Sequence, residues 1–187
     1  TTGEGGIVTT NDPELNRLGC LLRSHGDDGR YHHVLFGLNY RITDIMSAIG
    51  LNQLAQLDDF LAKRKHAADV LLKGLKRVEG VTPQKITPKA KPSYSYFSLV
   101  IDPEKIKCTR DEFLKALTAE NIDCGIHYPI ALTDQPIVKE TMKPKPCPVS
   151  EDLASRILSL PMHPYLSDDD LNLVVAGVEK VAQAYSR

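Results

Sequence analysis

No stretch of this chain approaches the run of about 18 apolar residues that a membrane-spanning helix needs. Nor does it carry a net charge of consequence. The formal value is −1, and no basic run exceeds Lys63-Arg64-Lys65. A near-neutral chain without a basic face lacks the electrostatic footprint of a nucleic-acid binder. There is no C-x-x-C pair: Cys20, Cys108, Cys124 and Cys147 stand far apart. Free thiols so spaced suit a reducing compartment, and a cytoplasmic location is expected. The opening "TTGEGGIVTT" has neither the Lys-Ser/Thr step of a P-loop nor the G-x-G-x-x-G of a dinucleotide turn. It reads as a glycine turn running into a strand at Ile7–Thr10. "SHGDDGRYHH" gathers histidines and aspartates without a zinc-type spacing or a cysteine partner, so no metal is expected. No Ser/His/Asp arrangement or carboxylate pair stands out along the chain.

The composition is that of an ordinary globular protein, 42% hydrophobic and 25% charged. Asp12-Pro13-Glu14 opens a helix lined by Leu15, Leu18, Leu21 and Leu22. Residues 24–38 read as an irregular connection of functional length. Thr43 caps a long helical segment lined by Ile45, Ile49, Leu51, Leu54, Leu57 and Leu61, with a break expected near Asp58-Asp59 and a stop at Gly80. Residues 81–92, rich in proline and lysine, read as a linker. "SYSYFSLVI" (93–101) reads as a strand, and Thr109 to Glu112 as a capping box opening a helix to about Asn121. "DCGIHYPI" (123–130) reads as a second strand. A mobile stretch is expected between Pro136 and Pro148, then a short helix capped by Ser150 and running to about Leu158. Ser167 caps the last helix, with Leu171, Val174, Val175, Val178 and Val181 on one face. From about residue 81 the order of elements gives a small α/β or α+β domain. Residues 1–42 offer too little for a core of their own.

Two stretches carry chemistry. In "GLNYRITD", Asn39 and Arg41 precede a helix cap, where an amide and a guanidinium suit an anion such as phosphate. A turn-forming Asn and a surface Arg account for the same residues equally well. In "CGIHYPI", His127 and Tyr128 end a strand, where α/β proteins often place ligands. A lone histidine is more often structural than catalytic.

Taken together, "TTGEGGIVTT", "LLRSHG", "GLNYRITDIMSAIGLNQLAQLDDFLAKR", "GIHYPI" with its following Gln-Pro, and "SEDLASRILSLPMHPYLSDDDL" resemble the pyridoxal-phosphate (PLP) sugar aminotransferases of the DegT/StrS type. They occur in that family's order and cover nearly the whole chain. The resemblance implies the aspartate-aminotransferase fold: residues 1–42 as the end of the large cofactor domain, 43–80 as an interdomain helical segment, and 81–187 as a small C-terminal α/β (α+β) domain. It places the Schiff-base lysine just upstream of Thr1, so this chain would be the C-terminal half and inactive alone. Asn39 and Arg41 match an N-Y-R motif that reaches the partner subunit's cofactor phosphate, in a homodimer formed through residues 37–60. His25, His127 and Tyr128 match positions at the mouth of the site, where a nucleotide-linked keto sugar binds and glutamate supplies the amine. The family often has His two residues before the Gln-Pro step; here Thr133 stands there, beside Asp134. The same fold also carries PLP-dependent sugar dehydratases, some with His in place of the lysine, and a non-catalytic interaction or regulatory protein is a third reading.

Overall fold

The computed structural model describes residues 1–187, which divide into two units, Thr1–Asp58 and Asp59–Arg187. No helix is long and apolar enough to cross a membrane.

In the first unit, helix α1 spans Pro13–Arg23. Asp12 caps it as expected: its Oδ1 accepts from the backbone N–H groups of Glu14 at 2.8 Å and Leu15 at 3.1 Å. Two short strands follow, β1 (Asp27–Gly29) and β2 (His32–His33), paired antiparallel. The connection read as irregular therefore contains a small hairpin. Its base is a close backbone contact. Gly26 has φ +73°, and a Cβ there would lie 1.8 Å from the Leu35 carbonyl oxygen, so only glycine fits. Helix α2 spans Asp44–Ala55, with Thr43 Oγ1 accepting from Met46 N–H. Ile7–Thr10 forms no strand and is exposed; β-prone residues need a neighbouring strand to pair with, and none reaches this segment.

Helix α3 spans Leu57–Leu75. The break between the two helices falls at Gln56, whose amide donates back to Asn52 Oδ1 at 2.8 Å. Asp58 and Asp59 instead occupy the first turn of α3, where acids are favoured by the exposed N–H groups.

The second unit is built on a three-stranded antiparallel sheet in the order β3-β4-β5: Val81–Pro83, Phe97–Ile101 and Ile157–Leu160. Strand β4 alternates, burying Phe97, Leu99 and Ile101. The same unit carries helices α4 (Arg110–Ala119), α5 (Pro136–Met142), α6 (Pro148–Arg156) and α7 (Asp168–Ala184). The expected capping boxes are present at Thr109–Glu112 and Ser167–Asp170. The core joins Leu71 and Leu75 of α3, Phe113 and Leu117 of α4, Leu158 of β5 and Leu171 and Val178 of α7. Gly74 lets α3 approach α7: a Cβ there would meet Val175 Cγ2 at 2.7 Å.

Several local expectations change. The segment read as a linker holds β3, which pairs Val81 with Ile101. The strand read at 93–101 begins only at Phe97, because Tyr94 has φ 47° and turns the chain. "DCGIHYPI" makes one bridge, Gly125 to Ser159, and no strand; Pro129 has no N–H to continue a ladder. The stretch from Pro136 contains α5. Helix α6 starts at Pro148, two residues before Ser150, and gives way at Ile157 to a strand that pairs with β4.

Candidate functional site

In the first unit the chain returns across the C-terminal end of α1. Leu38 N–H donates to the Leu22 carbonyl at 3.0 Å, and Tyr40 N–H to that of Arg23 at 2.9 Å. His25 N–H donates to the Leu38 carbonyl at 3.0 Å. This ladder fixes Asn39 opposite Ser24. Asn39 Oδ1 then accepts from Arg41 twice, from the backbone N–H at 3.3 Å and from Nε at 3.2 Å. Holding Nε leaves the guanidinium's two terminal amino groups without a protein partner. Both residues are exposed, just ahead of the cap of α2. A fork so oriented fits a phosphate, which it would bind with two parallel charge-assisted bonds. His25 adopts φ 60° and is exposed, and its carbonyl accepts from His33 Nδ1 at 3.0 Å. Of the neighbouring histidines, His32 Nδ1 pairs with Asp28 Oδ1 at 2.6 Å; His33 Nδ1 also lies 2.9 Å from Asp27 Oδ1, a buried oxygen that accepts no hydrogen bond.

In the second unit His127 and Tyr128 lie side by side, their rings edge-to-face with centroids 6.0 Å apart. His127 is half-buried and Tyr128 exposed. The His127 ring stacks on Tyr96 at a centroid distance of 4.2 Å and an interplanar angle of 30°. Its Nδ1 lies 3.3 Å from Ser159 Oγ. Neither Tyr96 nor Ser159 emerges from the sequence as a site residue. The available signal was a serine inside the otherwise apolar Ile157-Leu158-Ser159-Leu160 run. Thr133 stands in the short 3₁₀ turn Leu132–Asp134, with its hydroxyl buried and unpartnered. Asp134 pairs with Lys139 at 2.8 Å.

Cys124 borders this region but supplies no nucleophile. Burial, with a smaller contribution from Asp123, pushes its thiol up to about 12, so it stays protonated at neutral pH. Burial also raises Cys108. Cys20 and Cys147 are exposed. Iodoacetamide at mildly alkaline pH is therefore expected to label Cys20 and Cys147 in the folded chain and to spare Cys124, with all four labelled in denaturant. Peptide mass mapping reads the pattern, and prompt labelling of Cys124 in the native state would contradict the burial of its thiol.

The sequence model of the DegT/DnrJ/EryC1/StrS aminotransferase family matches residues 1–179. The UDP-2-acetamido-2-deoxy-3-oxo-D-glucuronate aminotransferase of Pseudomonas aeruginosa is 32% identical, the match covering 94% of this chain and 46% of that protein. Among solved structures, Helicobacter pylori PseC, an aminotransferase involved in the biosynthesis of pseudoaminic acid, superposes with a TM-score of 0.88 at 28% identity, over 99% of this chain and 50% of that one. S. venezuelae DesV superposes with a TM-score of 0.85 at 29% identity, over 94% and 46%. These structures have the aspartate-aminotransferase-like fold. The chain spans about half the length of the curated relatives it matches.

Proposed function

The chain belongs to the DegT/DnrJ/EryC1/StrS aminotransferase family, and from that premise we propose that it works in transfer of an amino group, from glutamate, to a nucleotide-linked keto sugar. In this reading residues 1–42 belong to the large cofactor domain, 43–80 to an interdomain segment, and 81–187 to the small domain. The observation that carries the site assignment is the Asn39–Arg41 pair: a guanidinium locked through Nε and free at both terminal nitrogens. Asn39 fixes the fork, and Arg41 holds the phosphate of PLP bound in the partner subunit. When bound, PLP supplies the carbonyl group and electron sink through which the nitrogen passes. His25, His127 and Tyr128 contact the sugar.

A homodimer through residues 37–60 is supported by α2, which buries none of its residues within the chain and exposes Ile45, Ile49, Leu51 and Leu54. These side chains lie on more than one side of α2, and a helix apolar all round calls for cover from another surface. The unit that carries Asn39 and Arg41 contains no lysine; the first in the chain is Lys63. In this reading the amine that anchors the cofactor is not supplied by the unit that holds its phosphate.

The test uses the full-length protein with PLP, glutamate and a nucleotide-linked keto sugar, read by mass spectrometry. Conversion of the sugar carbonyl to an amine, with 2-oxoglutarate released, is the expected result. Loss of a sugar hydroxyl without gain of nitrogen would replace this reading with a dehydratase, and no turnover with any keto sugar would favour an interaction role. Residues 1–187 alone, treated with PLP and borohydride, are expected to yield no stoichiometric adduct on one lysine.

A further inference from the structure

We infer that Ser159 and Tyr96 are positioning residues for His127: together they fix its ring plane and make it present an N–H donor to an oxygen of the sugar substrate. The inference rests on the reading of His127 as a substrate-facing residue. Its physical basis is independent of that reading.

The sheet of the second unit has two unlike faces. Phe97, Leu99, Leu158 and Leu160 enter the core. Ser98 and Ser159 are register partners on the alternate positions, so both point to the opposite face. Ser159 is the one polar residue of the chain that is buried as a whole, 3% exposed. A buried hydroxyl must find a partner or destabilise the fold. Ser159 has two within reach: His127 Nδ1 at 3.3 Å and Ser98 Oγ at 3.5 Å. An imidazole nitrogen is the nearer of the two and the better acceptor. When the Ser159 O–H donates to Nδ1, the ring proton must sit on Nε2. Nε2 makes no hydrogen bond within the chain. His127 then offers one N–H donor to a ligand, suited to a carbonyl, hydroxyl or phosphate oxygen.

The ring is also held mechanically. Tyr96 covers one face at 4.2 Å. The backbone beneath comes close enough that a Cβ on Gly125 would lie 2.6 Å from His127 Cε1. Gly125 is itself tied to Ser159 by two backbone bonds, at 3.0 and 2.7 Å. One residue thus anchors both the segment that carries the ring and the ring nitrogen. The side chain is set by the sheet and not by its own loop.

The decisive measurement is a long-range ¹H–¹⁵N spectrum of the labelled chain above the histidine titration range, with His127 assigned by comparison with His127→Gln. Wild type is expected to show Nε2 protonated and Nδ1 displaced toward the hydrogen-bonded acceptor position. In Ser159→Ala the Nδ1 resonance should move to that of an unbonded imidazole nitrogen. In Tyr96→Leu the ring-current shifts on His127 should collapse. A proton on Nδ1 in wild type overturns the proposal, and that result needs no variant to fold. So does an unchanged Nδ1 resonance in a Ser159→Ala chain whose amide spectrum is native. In the full-length enzyme Ser159→Ala is expected to raise KM for the sugar about tenfold with little change in kcat. A normal KM in His127→Gln, alongside the expected nitrogen shifts, would sink the substrate reading and leave the positioning geometry standing.

Discussion

Phe113→Ala will cost the second unit about 3–5 kcal/mol, the usual loss for deleting a fully buried aromatic ring. Phe113 is completely buried on α4, within the same cluster as Leu71, Leu99, Leu158 and Val178. These other members of the cluster come from α3, β4, β5 and α7. They are held by backbone ladders and cannot all collapse into the vacated space. Domains of this kind hold roughly 5–15 kcal/mol in all, so the substitution removes a large share of the margin. Urea unfolding followed by far-ultraviolet circular dichroism reads it as a fall in the midpoint with little change in slope. A midpoint within error of wild type would mean that Phe113 does not hold these elements together. Because His127 depends on β5 through Ser159, the same variant should blur the His127 resonances before the unit unfolds.

Arg41→Ala in the full-length protein will weaken PLP retention by about 1.5–3 kcal/mol, the worth of a hydrogen bond to a charged group. That is roughly ten- to hundredfold in affinity. The effect is specific to the fork. Arg41→Lys keeps the charge but not the two parallel donors, and should recover only part of the loss. Asn39→Ala should act in the same direction and more weakly, since it frees Arg41 Nε without removing the cation. Equilibrium dialysis against PLP measures all three. Cofactor affinity unchanged in Arg41→Ala would remove Arg41 from the phosphate site and leave it a surface residue.

What could be read from the sequence was what local chemistry decides. Asp12, Thr43, Thr109 and Ser167 each cap a helix in the structure. A cap is a bond between residues two or three apart, so its signal lies within one turn. The Asn39–Arg41 contact is also local. Strands fared worse because pairing is not local. Strand β3 is hidden among prolines and lysines, and becomes a strand only because β4 offers it an edge. Ile157–Leu160 follows directly on α6, and its apolar run does not distinguish helix from strand. Ser159 was invisible for the same reason. Its meaning lies in Ser98 and His127, which the chain brings to it from far away in sequence. Tyr96 was noticed only as part of a strand, and its stacking partner is likewise remote.

The sheet's wiring has a consequence for how the molecule reaches this state. Strand β4 meets β3 across a short excursion, but its hydroxyl contact with β5 joins residues 61 positions apart. Closing the longer loop costs more chain entropy, and is rewarded only once α4 to α6 have compacted the intervening segment. The β3–β4 hairpin is therefore the natural seed and β5 the late arrival. Since β5 carries the serine beside His127, the contact between the two is expected to form only in the closing stage of folding.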